Sequence, residues 1–331
     1  MPRPKVFVSR RIPDEGLGRI AAACDVDLWP QQLPPPYDTL RDRVKDCDGL
    51  VSLLTDRIDG PLLDAAPRLK VVSNYAVGFN NVDVPACTAR GVCAGNTPGV
   101  LTDATADTAV MLLMAAARRL GESAADAKQG RWLTWEPLGW LGQDLAGRTL
   151  GIVGMGRIGF AVAKRLHHGW GMKVLYTEQV PRPEADKEFG ARRVELDELL
   201  AASDFVSAHV DLNPSTKGMF GAAQFKKMKR TAVFVNTARG PLVDQAALAE
   251  ALRGGTIFAA GLDVTDPEPL PPNHELYKLP NCVIVPHIAS ATVGTRDAMA
   301  RICAENLLAG VRGEPLPHWV NPEVAANRKP V

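Results

Sequence analysis

"RTLGIVGMGRIG", residues 148–159, decides how this chain is read. Its first half is a run of apolar, β-prone residues, after which Gly154, Gly156 and Gly159 fall in the order G-x-G-x-x-G. Such a triplet is common by chance, and its context gives it weight. A strand precedes it, and "FAVAKRLHH" (160–168) continues it with helical spacing. In a strand–loop–helix of this kind the first glycine allows the tight turn. The second lets a pyrophosphate approach the backbone, and the third lets helix and strand touch. The helix N-terminus then meets the diphosphate charge. The stretch predicts dinucleotide binding.

Working outward, "MKVLYT" (172–177), "FVSAHV" (205–210), "AVFVNTA" (232–238), "IFAAGLDV" (257–264) and "CVIVPH" (282–287) read as further strands. Helical segments such as "VELDELLAAS" (194–203) and "QAALAEALRGG" (245–255) separate most of them, which predicts a doubly wound parallel sheet. Upstream, "KVFVSR" (5–10), "GLVSLL" (49–54) and "LKVVSNYA" (69–76) predict a smaller parallel α/β unit with three strands. The long Ala-, Leu- and Met-rich piece at 103–130 is too apolar for a solvent-bridging rod, so burial between domains or subunits is expected. Residues 296–311 predict one last amphipathic helix.

The chain has 331 residues, enough for two domains with real cores. Its 38 basic and 37 acidic side chains give no sign of a nucleic-acid partner. No apolar run is long enough to span a bilayer, and the N-terminus enters a strand without a signal-peptide core. The six cysteines are scattered with no CxxC, which suits packing thiols in a reducing cytoplasm. No H-E-x-x-H occurs, so a metal hydrolase is disfavoured and no metal ligand is assigned.

Three strand ends carry chemistry. "VFVNTARG" sets Arg239 just past a strand, "GLDVTDPEP" offers Asp263, Asp266 and Glu268, and "VPHIAS" offers His287. In a doubly wound sheet such ends converge on the crevice that holds the ligand. Hydride transfer to a ketone needs a proton for the developing alkoxide, which an imidazolium can give. A carboxylate beside it, here Glu268, fixes the tautomer, and an arginine fork, here Arg239, binds an α-keto acid through two oxygens. Each residue alone has a structural reading; grouped beside a dinucleotide loop they point to catalysis. The second strand of the series ends at Thr177, followed by Glu178 and Gln179, with Glu178 standing 24 positions after Gly154. A carboxylate there can accept both ribose hydroxyls and repels a 2'-phosphate. NAD(H) is therefore preferred, while nearby Arg182 leaves NADP(H) open.

With these residues in view, the chain resembles the D-2-hydroxyacid dehydrogenase family, and within it the glyoxylate/hydroxypyruvate reductases. The likeness covers essentially the whole length, in "NYAVGFNNVDVPACTARGV", "NTPGVLTDATAD", "TLGIVGMGRIG", "VNTARGPLVD", "AAGLDVTDPEP" and "VPHIAS". It implies a Rossmann-type NAD(P)-binding domain (99–287, including a dimerisation segment) inserted into a flavodoxin-like substrate domain (1–98, completed by 288–331), closing on the ligand by a hinge. It places the family's catalytic arginine, glutamate and histidine on Arg239, Glu268 and His287. The carboxylate-binding loop falls on Ala76, Val77 and Gly78. Cofactor contacts fall on Thr105, Arg157, Ile158, Thr237, Asp263 and Ser290, besides the glycine loop, Glu178 and Gln179.

The resemblance further implies a homodimer acting on a small 2-keto or 2-hydroxy acid. "RWLTWEPLGWLG" (131–142) matches the interface segment, and Trp135 the tryptophan that reaches the partner's active site and narrows its cleft. Relatives with "SRT" after the second strand bind NADPH through that arginine, and Glu178-Gln179-Val180 lacks it. Phosphite dehydrogenases carry a lysine where this chain has Val77. A D-lactate-like or 2-ketogluconate reductase is the alternative within the fold. A non-catalytic NAD-sensing corepressor is the alternative outside catalysis, and the joint presence of Arg239, Glu268 and His287 argues against it.

Overall fold

The computed structural model describes residues 2–329. They form two α/β units: one runs to Leu101 and resumes at Ala291, and the other is Thr102–Ser290. The chain is α/β, with two doubly wound parallel sheets. A Rossmann-type unit is inserted into a flavodoxin-like one.

The flavodoxin-like unit runs β1 (Lys5–Val8), α1 (Asp14–Ala23), β2 (Asp25–Leu28), α2 (Tyr37–Val44), β3 (Gly49–Ser52), α3 (Gly60–Ala65), β4 (Val71–Asn74), α4 (Val84–Ala89) and β5 (Cys93–Gly95). Its strand order is β2-β1-β3-β4-β5, all parallel. The central strands β3 and β4 are buried at every residue, as expected when helices cover both faces. Sequence reading expects three strands here and the structure has five. β2 is an edge strand reading Asp-Val-Asp-Leu, and β5 is only Cys-Ala-Gly, so neither carries an apolar run. Parallel pairing with β1 and β4 supplies what local pattern does not.

The Rossmann unit begins with α5 (Thr102–Ala117) and α6 (Leu120–Lys128). It continues through β6 (Thr149–Val153), α7 (Arg157–Trp170), β7 (Lys173–Thr177), α8 (Pro183–Phe189), β8 (Arg192–Arg193), α9 (Leu196–Ala202) and β9 (Phe205–Ala208). It ends with α10 (Ala222–Lys227), β10 (Val233–Asn236), α11 (Gln245–Arg253), β11 (Ala259–Leu262) and β12 (Cys282–Ile284). The order β12-β11-β10-β9-β6-β7-β8 reverses between β6 and β9, the switch point where such sheets bind ligands. Alternation within strands divides the core. Val233 and Val235 pack with Leu113, Val162 and Leu166 on one face, and Phe234 packs with Leu199, Phe225 and Leu248 on the other. Each such fully buried side chain contributes about 1.5–3 kcal/mol.

The apolar piece 103–130 forms two helices, separated where Arg119 adopts a left-handed φ of 54° between α5 and α6. Within its own unit α5 packs on α7, β10 and β11. One expectation is corrected. The final helix, α12 (Val293–Val311), is not two-faced. From Met299 onward it is buried on most of its circumference, because it packs against β3, β4, β5 and α1 of the flavodoxin-like unit. Among the described residues no helix is long and apolar enough to cross a membrane.

Candidate active site

The glycine loop connects β6 to α7 at the switch point. Gly154 has a φ of +96°, and a Cβ there would stand 2.7 Å from the carbonyl oxygen of His209 just past β9. A Cβ on Gly159 would lie 2.1 Å from the Gly154 carbonyl oxygen, so helix and loop meet only because that side chain is absent. Gly156 differs: its Cβ would find no protein atom within 4 Å. The protein's own contacts therefore do not demand glycine at 156, whereas a pyrophosphate lying against that backbone does. Arg157 and Ile158 open α7, with Gly156 as its extended N-cap. Thr105 is buried on the first turn of α5. Thr237, just past β10, has its Oγ1 buried without a hydrogen-bond partner. An orphaned hydroxyl and an uncrowded backbone at one sheet edge suit a bound dinucleotide.

His209 lines the same turn. Its N–H donates to Val153 O at 2.7 Å, and its Nε2 lies 2.9 Å from Ser207 Oγ. Burial pushes this imidazole down to about 3, so it is neutral beside the glycine loop at ordinary pH.

Glu178 and Gln179 follow β7 directly. The Glu178 carboxylate accepts the Gln179 N–H at 2.9 Å and stands 3.9 Å from Arg182 Nη2. Arg182 Nε is buried and lacks a partner. Arg193, which closes β8, donates to the backbone carbonyls of Glu178 and Gln179 at 2.8 and 3.1 Å. Arg182 thus lies near the carboxylate and Arg193 on the backbone beside it, and the sequence alone points only to Arg182. Arg193 was hidden because a two-residue edge strand returns it to this corner.

Arg239, Glu268 and His287 emerge past the C-terminal ends of the adjacent strands β10, β11 and β12. Arg239 sits in a turn held by Asn236, whose Nδ2 donates to the Arg239 carbonyl at 2.8 Å while its Oδ1 accepts the Ala238 N–H at 3.0 Å. Burial lowers the proton affinity of the Arg239 guanidinium, and the charges of Glu268 and Asp211 oppose that shift. Glu268 Oε1 is hydrogen-bonded to His287 Nδ1. The loop leading to Glu268 is fixed by Gln245, which accepts the Asp266 N–H at 3.1 Å and donates to the Asp266 carbonyl.

His287 itself has a left-handed φ of 52°, uncommon for a residue with a side chain. Asp263 holds it there. The Asp263 carbonyl accepts the His287 N–H at 3.1 Å, and its carboxylate accepts the N–H groups of Ile288 (2.6 Å) and Ala289 (3.1 Å). Burial raises the Asp263 carboxyl, and these donors pull it back toward the ionised form. Asp263 thus builds the turn that carries the histidine, a task sequence reading did not give it. Ser290, buried, closes the same turn.

Two further sets of sequence-assigned residues belong to other segments. Ala76, Val77 and Gly78 follow β4 in the flavodoxin-like unit. Trp135 lies on the connection between α6 and β6 and is 80% exposed, with Trp132, Leu133, Leu138 and Leu141 exposed around it.

Comparison with known proteins bears on the whole chain. The family model for the NAD binding domain of the D-isomer specific 2-hydroxyacid dehydrogenases matches residues 110–289. A glyoxylate reductase of Korarchaeum cryptofilum is 52% identical over 329 residues, 99% of either chain. A solved structure from Thermus thermophilus superposes with a TM-score of 0.90 at 47% identity, over 96% of this chain and 99% of its own. The NADPH-dependent glyoxylate/hydroxypyruvate reductase of Sinorhizobium meliloti, solved with NADP and malonate, does so with a TM-score of 0.84 at 33% identity, over 99% of each.

Proposed function

Because the chain belongs to the D-isomer specific 2-hydroxyacid dehydrogenase family, we propose that it reduces glyoxylate and hydroxypyruvate, to glycolate and D-glycerate, with NADH in preference to NADPH. The family makes it an oxidoreductase that uses a nicotinamide cofactor. The observation that carries the substrate reading is the Glu268 carboxylate on His287 Nδ1, with the half-buried Arg239 within reach of the Glu268 charge. That contact assigns the Nδ1 proton and sets Nε2 on the far side of the ring, where a proton can be delivered.

When bound, the reduced nicotinamide supplies the hydride. The residues do the rest. Arg239 pairs its guanidinium with the carboxylate and carbonyl oxygens of the keto acid, a planar fork on a planar target. Partial burial strengthens this pairing by excluding competing water. As charge develops on the carbonyl oxygen, His287 Nε2 gives up its proton to it, and Glu268 stabilises the imidazolium until then. In the oxidative direction the same nitrogen takes the hydroxyl proton.

Glu178 supports NADH, since its carboxylate at the end of β7 suits a free ribose and repels a phosphate. A second reading has its own observation: Arg182 stands near that carboxylate and Arg193 on the adjoining backbone, two cations at the corner where a 2'-phosphate would lie. Initial rates at 340 nm with glyoxylate and hydroxypyruvate, NADH and NADPH side by side, separate the two. We expect NADH to be favoured by about tenfold or more in kcat/KM, and Glu178→Ala to shrink that ratio by about tenfold, one charge interaction's worth. A preference for NADPH transfers the role to the arginines. Turnover confined to larger 2-keto acids moves the reading to a D-lactate-like or 2-ketogluconate reductase, and NADH binding without any turnover to a corepressor.

The exposed apolar segment around Trp135 supports a homodimer in which this segment covers a second copy. Light scattering of the intact protein should give twice the 35.6 kDa chain mass, and a monomer at micromolar concentration ends this part of the proposal. The cysteines, none in a disulfide, suit the cytoplasm.

A further inference from the structure

The loop after β4, which the family resemblance gives to the substrate carboxylate, is held by contacts from residues 96–97 that the resemblance does not assign. The Ala76 carbonyl accepts the backbone N–H of Thr97 at 2.8 Å, and the next carbonyl, that of Val77, accepts the side-chain amide of Asn96 at 2.7 Å. Two successive carbonyls therefore point to the same side, toward residues 96–97. In an extended strand they would alternate. The third, of Gly78, accepts Asn74 Nδ2 at 3.0 Å. Across a trans peptide the N–H points opposite to the C=O. Anchoring the carbonyls of Ala76 and Val77 on one side thus turns the N–H groups of Val77 and Gly78 together to the other. Among the described residues, neither of these N–H groups donates to a backbone carbonyl. Successive N–H groups on one side form a concave anion-binding nest.

We propose that Asn96 is a positioning residue for the substrate carboxylate: by holding the Val77 carbonyl it keeps the N–H groups of Val77 and Gly78 aimed as one nest. The assignment rests on the keto-acid reading above. Asn96 is suited to the task because it is itself fixed. It is 8% exposed, and its own carbonyl accepts Nδ2 of the fully buried Asn306 on α12 at 2.9 Å. Asn306 is pinned in turn by the His318 N–H, which its Oδ1 accepts at 2.9 Å. The neighbouring Thr97 is wholly buried. An amide is required at position 96 because it must donate; a carboxylate has no proton to give and would repel the partial negative charge of the Val77 carbonyl oxygen.

The test is steady-state kinetics of Asn96→Ala and Asn96→Asp on the full-length protein with glyoxylate and NADH. We expect the glyoxylate KM to rise about tenfold in the first and further in the second, the scale of one misdirected charge-assisted hydrogen bond. The kcat should stay within about threefold, and the NADH KM and Tm should match wild type, because uniform binding is what the nest supplies. An unchanged glyoxylate KM in both variants overturns the proposal. So does a joint loss of kcat, NADH affinity and Tm, which marks a merely structural role. A readout independent of turnover is the amide resonances of Val77 and Gly78 in the wild-type protein during titration with oxamate, an unreactive analogue with the same carboxylate and adjacent carbonyl. These two amides should shift most, and their silence overturns the nest even if the variants fail to fold. Wild-type protein that shifts these amides yet never reduces glyoxylate sinks the proposed reaction and leaves the nest standing.

Discussion

His287→Gln is expected to lower kcat for glyoxylate reduction by about two to four orders of magnitude, the usual worth of a positioned general acid, while NADH binds as before. The glutamine fills similar space, and the turn that presents it does not depend on the imidazole. That turn is made by Asp263, through its carbonyl on the residue 287 N–H and its carboxylate on the N–H groups of Ile288 and Ala289. The lesion should therefore be confined to proton delivery. Fluorescence titration with NADH and initial rates at 340 nm read the two quantities separately. A mutant retaining more than a tenth of the wild-type kcat removes His287 from the role of proton donor. A mutant that also loses NADH shows that the histidine was holding the turn.

Arg239→Ala is expected to cost about three orders of magnitude in kcat/KM. It removes a charged fork whose bonds to an anion contribute about 1.5–3 kcal/mol each. The loss should fall on both KM and kcat, because in the proposed reaction the guanidinium binds the carboxylate in the ground state and the carbonyl oxygen as it gains charge. Arg239→Lys sharpens the test. A lysine restores the charge but offers one ammonium in place of two parallel N–H groups, so it should recover only a small part of the loss. Kinetics of both variants with glyoxylate decide the matter. Full recovery by lysine reduces the role to bulk electrostatics, and unchanged kinetics in the alanine variant place the substrate elsewhere.

Much of the fold and of the candidate site is legible in the sequence, and the reasons differ by residue. The β6 stretch and its glycines can be read because a buried parallel strand is a continuous apolar run and the loop after it tolerates few residues. Arg239, Glu268 and His287 can be grouped because sheets of this topology gather their strand ends, and hydride chemistry asks for those three kinds of group. What stayed hidden depends on partners distant in sequence. β2 and β5 are too short or too polar to announce themselves, and exist through pairing with β1 and β4. The break at Arg119 follows an alanine-rich run, and the nearest glycine, Gly121, lies beyond it inside α6. Asn96 acts on Val77, Gln245 on Asp266 and Arg193 on Glu178 through side chain to backbone contacts. Sequence spacing encodes no such contact. The split role of Asp263 is of the same kind: its position was readable, but what its oxygens accept was not.

The glycine loop keeps two kinds of memory. Gly154 and Gly159 are spoken for by the chain's own atoms, since any side chain there collides with His209 or with the loop itself. Gly156 answers to nothing within the protein. Drift at the first two positions would be caught at folding, in every cell that makes the polypeptide. Drift at the third would pass unnoticed until the molecule was asked to work. A descendant that had abandoned dinucleotides could therefore keep the architecture and the outer glycines and let the middle one go, which makes that single position a marker of whether the ancestral trade is still practised.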